Sequence, residues 1–190
     1  IDPWLLGSCY WRSWWNFPEA KFDILELEKV DAVIISHVHW DHWHGITLRK
    51  FFKDKKVFIP DEPRLRSRND LKKIGFETSL IKHGKTIELG DLKITFYHFG
   101  LFFTDSAIII EAGGKVILNA NDAKIAGLSL REILKKHGKI DFAFRSHSSA
   151  NTRICYELEG GDFAQFDDLE HYSRSFQLFM DAVNPTYAIP

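Results

Sequence analysis

The feature that most limits what this chain can fold into is the segment Ser36 to His42, SHVHWDH, which holds three histidines and one aspartate. It directly follows Val30 to Ser36, a β-branched run bounded by polar residues, which is the pattern of a strand buried on both faces. With nine histidines in 190 residues, the pattern HxHxDH is expected by chance only about 0.002 times in such a chain. We therefore expect the segment to carry chemistry.

The spacing of this motif fits metal ligands. Residues two apart in an extended segment point the same way, so His37 and His39 can converge on one ion, while Asp41 and His42, beyond a turn, face a second ion. Imidazole and carboxylate suit Zn²⁺, Fe or Mn²⁺, and the absence of a thiolate from the motif argues against a structural zinc. The motif predicts an open, reactive metal site, with Asp41 as its catalytic carboxylate.

Composition and charge limit the class of protein. With 45% hydrophobic and 27% charged residues, the chain is predicted to form one folded domain over residues 1–190. A net charge of −1 gives no reason to expect nucleic acid as a partner, and no apolar run approaches the length of a membrane span. Two cysteines are too few for a disulfide framework, so we expect a reducing, cytoplasmic location.

Hydrophobic periodicity and turn signals predict an α/β or α+β layered domain. Strands are predicted at 30–36, 56–59, 79–82, 86–89, 93–97, 107–111, 116–118 and 141–144. Helices are predicted at 45–52, at 63–74 with Pro60 and Asp61 opening it, at 130–137 with Ser129 as its cap, and at 167–183.

The motif after a buried strand resembles that of the metallo-β-lactamase-fold superfamily, whose αββα sandwich builds a two-metal site at the C-terminal end of a strand. The resemblance implies a third histidine for the first ion, which His98 matches by position. It also implies a bridging carboxylate after the next hairpin, which Asp122 matches. The implied ligand set is His37, His39 and His98 for the first ion, Asp41 and His42 for the second, and Asp122 between them. Two zinc ions are expected, with iron or manganese as alternatives.

One ligand of that family pattern is missing. The family's last histidine follows a late strand that Asn184 to Pro190 resembles, and the given sequence ends before any histidine. Three explanations stay open: the ligand lies beyond this sequence, His147 or His44 substitutes, or the second ion binds weakly. We therefore expect a fold truncated at one or both ends and a labile second ion.

Two branches of the superfamily resemble the chain more closely, through Asp2-Pro3-Trp4-Leu5, the histidine motif and Asp105 to Asp122. One is the lactonase-like branch. The other is the metallo-β-lactamase half of CMP-N-acetylneuraminate hydroxylase-like Rieske proteins. A Rieske cluster needs two cysteines and two histidines in paired motifs, which Cys9 and Cys155 do not supply.

Three functions follow from these resemblances. The first is a metal-dependent hydrolase in which a metal-bound hydroxide attacks an ester, a lactone or a phosphate-bearing small molecule. The second is the iron component of a Rieske-type sugar-nucleotide hydroxylase, and the third is a non-catalytic binding module of the same fold. The identity of the bound metal separates the first two.

Aromatic and basic residues near the motif bear on the substrate. Trp40 and Trp43 are expected to wall the site, and His44 to lie just behind the ligands. The other early tryptophans either pack between layers or form a stacking platform for a sugar or a base. Residues 49–73 hold ten basic and four acidic side chains, a patch suited to an anionic substrate or simply a solvated face.

Three further histidines are predicted to be surface residues: His83, His137 and His171.

Overall fold

The computed structural model describes residues 1–100, 104–147 and 169–190. The strands in these ranges are β1 (Ser8–Cys9), β2 (Trp14–Trp15), β3 (Ala32–Ile34), β4 (Lys56–Pro60), β5 (Thr78–Ile81), β6 (Thr86–Leu89), β7 (Leu92–Phe99), β8 (Asp105–Ala112), β9 (Lys115–Asn121), β10 (Phe142–Arg145) and β11 (Tyr187–Ile189). The helices are α1 (Ile24–Glu28), α2 (Gly45–Phe51), α3 (Arg66–Lys73), α4 (Gly127–His137) and α5 (Leu169–Val183). Within the same ranges, every helix is too short or too polar to cross a bilayer.

The chain divides into two compact units. The first unit comprises residues 1–85 and 98–106, and the second comprises residues 86–97 and 107–190. The single domain that the composition predicts over residues 1–190 stays a prediction.

The first unit contains a parallel sheet in the order β3-β4-β5, and a short antiparallel pair, β1 and β2. Val33 pairs with Val57, which pairs in turn with Thr78. The apolar side chains of this sheet are buried with those of α2 and α3. The core members are Val33, Ile35, Trp43, Leu48, Phe52, Val57, Ile59, Leu71 and Phe76. Because parallel strands place their carboxyl ends at one edge, the residues after β3 begin at that edge.

The larger sheet has the order β11-β10-β9-β8-β7-β6 and is mixed. Strands β9, β10 and β11 run parallel, whereas β8 and β9 form an antiparallel hairpin. That hairpin turns through Gly113 and Gly114, both at positive φ (55° and 72°), which a two-residue type I′ turn requires. In the second unit, Leu118, Ala143 and Phe179 belong to a core that α4 and α5 help to bury.

Most predicted elements lie within a few residues of their observed bounds, and β6 coincides with its prediction. Two predicted helix starts are wrong. Pro60 is the last residue of β4, and α3 begins only at Arg66, where the buried Glu62 carboxylate accepts the backbone N–H of Ser67. Ser129 lies inside α4 rather than capping it, because the helix already begins at Gly127. The sequence patterns also missed α1, whose first turn is capped by Asp23.

Candidate metal centre

The end of β3 delivers the histidine motif to a tight turn. His37 is 1% exposed and continues the buried run from the strand. The backbone N–H groups of His42 and Trp43 both donate to the His39 carbonyl, at 3.0 and 3.1 Å. This turn brings the His42 ring back to 4.0 Å from the His37 ring, measured between centroids. Trp43 stabilises the turn, because its Nε1–H donates to the Val38 carbonyl at 2.6 Å.

The ring nitrogens of the motif face one another. His37 Nε2 lies 2.8 Å from His39 Nδ1, and a ring nitrogen of His42 lies within 4.8 Å of one of His37. Two nitrogens bound to one tetrahedral zinc, each at about 2.0–2.1 Å, are about 3.3 Å apart. A neutral imidazole has one N–H and one lone-pair nitrogen, so the 2.8 Å contact is an N–H···N hydrogen bond in one pair of tautomers. In the other tautomer of the donating ring both nitrogens present lone pairs, and a separation about 0.5 Å larger lets them bind one ion. The arrangement therefore fits a metal ion after this small shift.

Asp2 contacts Ser36 and His42 through its two carboxylate oxygens. Its Oδ1 accepts the backbone N–H of Ser36 at 2.7 Å, and its Oδ2 accepts the Ser36 hydroxyl at 2.7 Å. The same Oδ2 lies 3.2 Å from His42 Nδ1, and Ser36 Oγ lies 2.9 Å from His37 Nδ1. Both Nδ1 atoms thus have protein partners, and in the predicted ligand set each ring would bind its ion through Nε2. The residue-type patterns did not identify Asp2 as a site residue, because nothing in its spacing from the motif predicts this contact.

Asp41 is held as a carboxylate. The Tyr10 hydroxyl donates to its Oδ1 at 2.7 Å, and His42 Nε2 lies 3.3 Å from its Oδ2. Burial alone would raise the pKa of Asp41, but the hydrogen bonds and charge of His42, together with the hydrogen bond from Tyr10, hold that pKa well below its usual range. Burial and the bond to Asp41 in turn raise the pKa of Tyr10, which keeps the phenol protonated as a donor. Tyr10 is a second contact that the sequence patterns missed.

His98 and Asp122 occupy strand ends, as the resemblance implies. His98 lies near the end of β7, with Nε2 2.9 Å from the Ile81 carbonyl, and its backbone N–H donates to His83 Nδ1 at 3.0 Å. If Nε2 donates to that carbonyl, Nδ1 is the nitrogen left for a metal. Asp122 directly follows β9 in the second unit. Their assignment as metal ligands stays a prediction.

The residues predicted to surround the ligands have different environments. Trp40 lines a cleft of about 270 Å³ beside His39, whereas Trp43 is 7% exposed and belongs to the core of the first unit. His44 is buried with both nitrogens in use, Nδ1 at 2.9 Å from Thr47 Oγ1 and Nε2 at 3.3 Å from the Ser8 carbonyl. His147 lies in the second unit, its ring 6.3 Å from that of Phe176. Cys155, outside the described residues, has no structural description.

His137, predicted to be a surface residue, is instead buried. Its side chain is 3% exposed, with Nε2 2.8 Å from the Tyr97 hydroxyl and Nδ1 3.3 Å from Glu111 Oε1. Burial, with the charges of Glu132 and Glu111, raises the pKa of Tyr97 to about 12. The prediction failed because the charged neighbours Lys135 and Lys136 lie on the solvent side of α4. His83 and His171 are exposed as predicted.

Comparison with known proteins identifies the family. Residues 1–147 match the family model described as the beta-lactamase superfamily domain. A Mycobacterium tuberculosis protein named as a Rieske 2Fe-2S iron-sulfur protein is 31% identical over 160 residues, covering 78% of this chain and 30% of its own length. The Sus scrofa cytidine monophosphate-N-acetylneuraminic acid hydroxylase is 41% identical over 64 residues, covering 33% of this chain and 14% of the hydroxylase. This chain therefore spans a third or less of these curated relatives.

Two solved structures share the fold. An isothiocyanate hydrolase from Delia radicum gut bacteria has a TM-score of 0.68 and 16% identity, covering 100% of this chain and 75% of the hydrolase. CmlA, a diiron beta-hydroxylase from Streptomyces venezuelae, has a TM-score of 0.60 and 18% identity, covering 85% of this chain and 35% of CmlA. At these identities the likeness concerns the fold alone, and it confirms the predicted α/β metallo-β-lactamase-like fold. The chain belongs to the beta-lactamase superfamily domain family and has the metallo-β-lactamase fold.

Proposed function

We propose that this chain is a metal-dependent hydrolase that acts on an ester, a lactone or a phosphate-bearing small molecule at a dinuclear His/Asp centre. The observation that supports it most is the 2.8 Å approach of His37 Nε2 to His39 Nδ1, backed by Ser36 and Asp2. The proposed ligands are His37, His39, His98 and Asp122 for the first ion and Asp41 and His42 for the second. When bound, the ions supply Lewis-acid polarisation of the scissile group and lower the pKa of a water molecule.

Hydrogen bonds from neighbouring residues orient the side chains of the proposed ligands. Asp2 and Ser36 contact Nδ1 of His42 and of His37, which orients both rings before an ion binds. Tyr10 does the same for Asp41 by donating to one oxygen. The other oxygen of Asp41 lies 3.3 Å from Nε2 of His42, the second proposed ligand of the same ion. We therefore assign Asp41 to holding an ion and orienting the nucleophilic water rather than to storing a proton.

A second candidate is an iron site in an oxygenase or hydroxylase assembly. The names of the curated relatives favour it, because they carry Rieske and hydroxylase descriptions. In that case the iron-sulfur cluster lies outside this chain, since its two cysteines are not in paired Cys/His motifs. Cys9 is free and buried, its Sγ–H donates to the Trp40 carbonyl at 3.4 Å, and burial raises its pKa to about 12. Such a protonated thiol is a poor ligand, and a reduced Cys9 agrees with a cytoplasmic location.

Elemental analysis and turnover on one preparation separate the two candidates. Protein purified without chelator is analysed for zinc, manganese and iron, then assayed against aryl esters, lactones and phosphate esters. We expect zinc or manganese together with hydrolysis that His37→Ala abolishes and that the exposed-residue control His171→Ala leaves unchanged. Two irons without hydrolysis would replace the first candidate by the second. Protein that binds no transition metal would contradict both and leave a non-catalytic module.

A further inference from the structure

A strained hairpin stands beside the histidine motif. Between β1 and β2, the consecutive residues Tyr10, Trp11 and Arg12 all have positive φ, at 47°, 56° and 69°. Non-glycine residues pay for this conformation, at roughly 1–2 kcal/mol each, and such strain concentrates at ligand-binding sites. The turn is closed by Ser13, whose backbone N–H and hydroxyl donate to the Tyr10 carbonyl at 3.2 and 2.6 Å. The hairpin is thus held in a conformation that its residue types do not favour.

The hairpin places two aromatic side chains, Tyr10 and Trp11, in the lining of one cleft together with Trp40. Tyr10 stacks on Trp40 with ring centroids 5.8 Å apart and an interplanar angle of 20°, and Trp11 meets Trp40 edge-on at 5.1 Å. Trp11 nevertheless remains 86% exposed. A tryptophan held against a second indole ring and left exposed to water is a surface whose burial by a flat apolar ligand is favourable.

The same cleft joins these rings to a cation and to the proposed metal centre. Its lining residues are Tyr10, Trp11, Val38, His39, Trp40 and Arg66. Arg66 is about half exposed, and its Nε lies 3.6 Å from Asp70, a carboxylate that Lys73 also approaches at 3.0 Å. One carboxylate shared by two cations leaves a net positive charge at this wall. A guanidinium binds phosphate or carboxylate with two donors in a fixed plane.

We propose that this cleft is the substrate-binding site and that it takes a planar ring bearing an anionic group, with the ring on Trp11 and Trp40 and the anion on Arg66. This inference rests on the proposed function, because it places the substrate against His39. Because the cleft lining does not include His37, binding can be measured without turnover in the His37→Ala variant.

Calorimetric titration with three probes of one ring size tests the proposal: 1-naphthyl phosphate, 1-naphthoate and 1-naphthol. We expect both anions to bind, and Trp11→Ala to weaken both by about tenfold, the usual effect of removing a stacking ring. Arg66→Gln should weaken the two anions by about tenfold and leave 1-naphthol unchanged. The matched controls are Trp15→Ala and Arg68→Gln, which change exposed residues on the same hairpin and helix outside the cleft lining.

The outcomes also separate this proposal from the proposed function. His37→Ala, outside the cleft lining, should lose metal and keep 1-naphthyl phosphate binding. Anion binding by the unchanged protein, if that protein takes up no metal, would refute the hydrolase centre and support the cleft. The proposal is wrong if no anionic probe binds, or if Trp15→Ala and Arg68→Gln weaken binding as much as the cleft variants do.

Discussion

Two groups of histidine, tyrosine and carboxylate side chains, one in each unit, differ in what their histidine rings face. The first group is His37, His39, His42, Asp2, Asp41 and Tyr10, and the second is His137, Tyr97 and Glu111. In the second unit, His137 has Tyr97 on one ring nitrogen and Glu111 on the other. In the first unit, His37 uses Nδ1 for Ser36, and its Nε2 faces another imidazole nitrogen. His137 therefore has a hydroxyl and a carboxylate as ring partners, whereas His37 has a hydroxyl and a second imidazole of the motif.

Burial and residue type alone do not distinguish a structural histidine from a candidate metal ligand. Both histidines are buried, and each belongs to a group that also contains a carboxylate and a tyrosine. What separates them is the inventory of donors and acceptors around each ring. We therefore expect substitutions in the first group to change metal binding and those in the second to change only stability.

The largest contrast is expected from removing the histidines themselves. The double variant His37→Ala with His39→Ala should lower zinc affinity by more than about 100-fold, because two of the proposed imidazole ligands are lost. His137→Ala should leave zinc affinity unchanged and cost about 1–3 kcal/mol of stability, because the buried Tyr97 hydroxyl loses a partner. Zinc titration and urea unfolding measure the two effects. Unchanged zinc affinity in the double variant would remove the distinction between the groups.

Asp2→Asn tests whether the outer partners matter. The amide keeps the shape but presents a donor to Ser36 or His42, so the histidine tautomers are no longer fixed. We expect a loss of about 10–100-fold in zinc affinity with the fold intact. The control is Asp23→Asn, because asparagine also caps a helix and Asp23 only caps α1. Equal affinities in the two variants would show that Asp2 is merely structural.

Tyr97→Phe should act on stability alone. The folded pKa of about 12 lies above the ordinary value of 10.0, so the unfolded chain releases the phenolic proton first as pH rises. The stability that this tyrosine contributes is therefore complete below about pH 10 and declines as pH rises toward 12. We expect Tyr97→Phe to cost about 1 kcal/mol at pH 7 and to unfold with a shallower alkaline decline. An unchanged decline, measured by urea titration at several pH values, would contradict this account of Tyr97.

The smallest effect is expected at the carboxylate of the second group. Glu111→Gln keeps an oxygen acceptor for His137 Nδ1, and the Glu111 side chain is already 34% exposed. We expect a change in stability of no more than about 0.5 kcal/mol and none in zinc affinity. The corresponding change in the first group, Asp41→Asn, should weaken binding of the second ion, because a charged ligand is lost. Similar behaviour of the two variants in zinc titration would erase the contrast.

The sequence predicted the parts of this molecule that local patterns specify. Strand β6, helix α2 and the hairpin of β8 and β9 follow from short-range alternation and turn residues. The histidine motif was recognisable because its candidate ligands lie within six residues of one another, on a single strand end. Both the secondary-structure elements and the histidine motif could be recognised from residues that are close together in the sequence.

The remaining contacts depend on tertiary structure. Asp2 is 34 residues from Ser36, and Tyr10 is 31 residues from Asp41, so no local period links either pair. His137 was misplaced for a related reason, since its lysine neighbours say nothing about which side of α4 it occupies. Hydrogen-bond partners that lie this far apart in the sequence can be identified only from the folded structure.

X-ray absorption spectroscopy of the zinc-loaded protein would show which atoms bind the ion. We expect nitrogen or oxygen neighbours at about 2.0–2.1 Å, with the outer-shell scattering of at least two imidazole rings. We also expect that imidazole scattering falls in the His37→Ala, His39→Ala variant and stays the same in His137→Ala. A sulfur shell at about 2.3 Å, or a spectrum without imidazole scattering, would contradict the assignment of the metal to the histidines after β3.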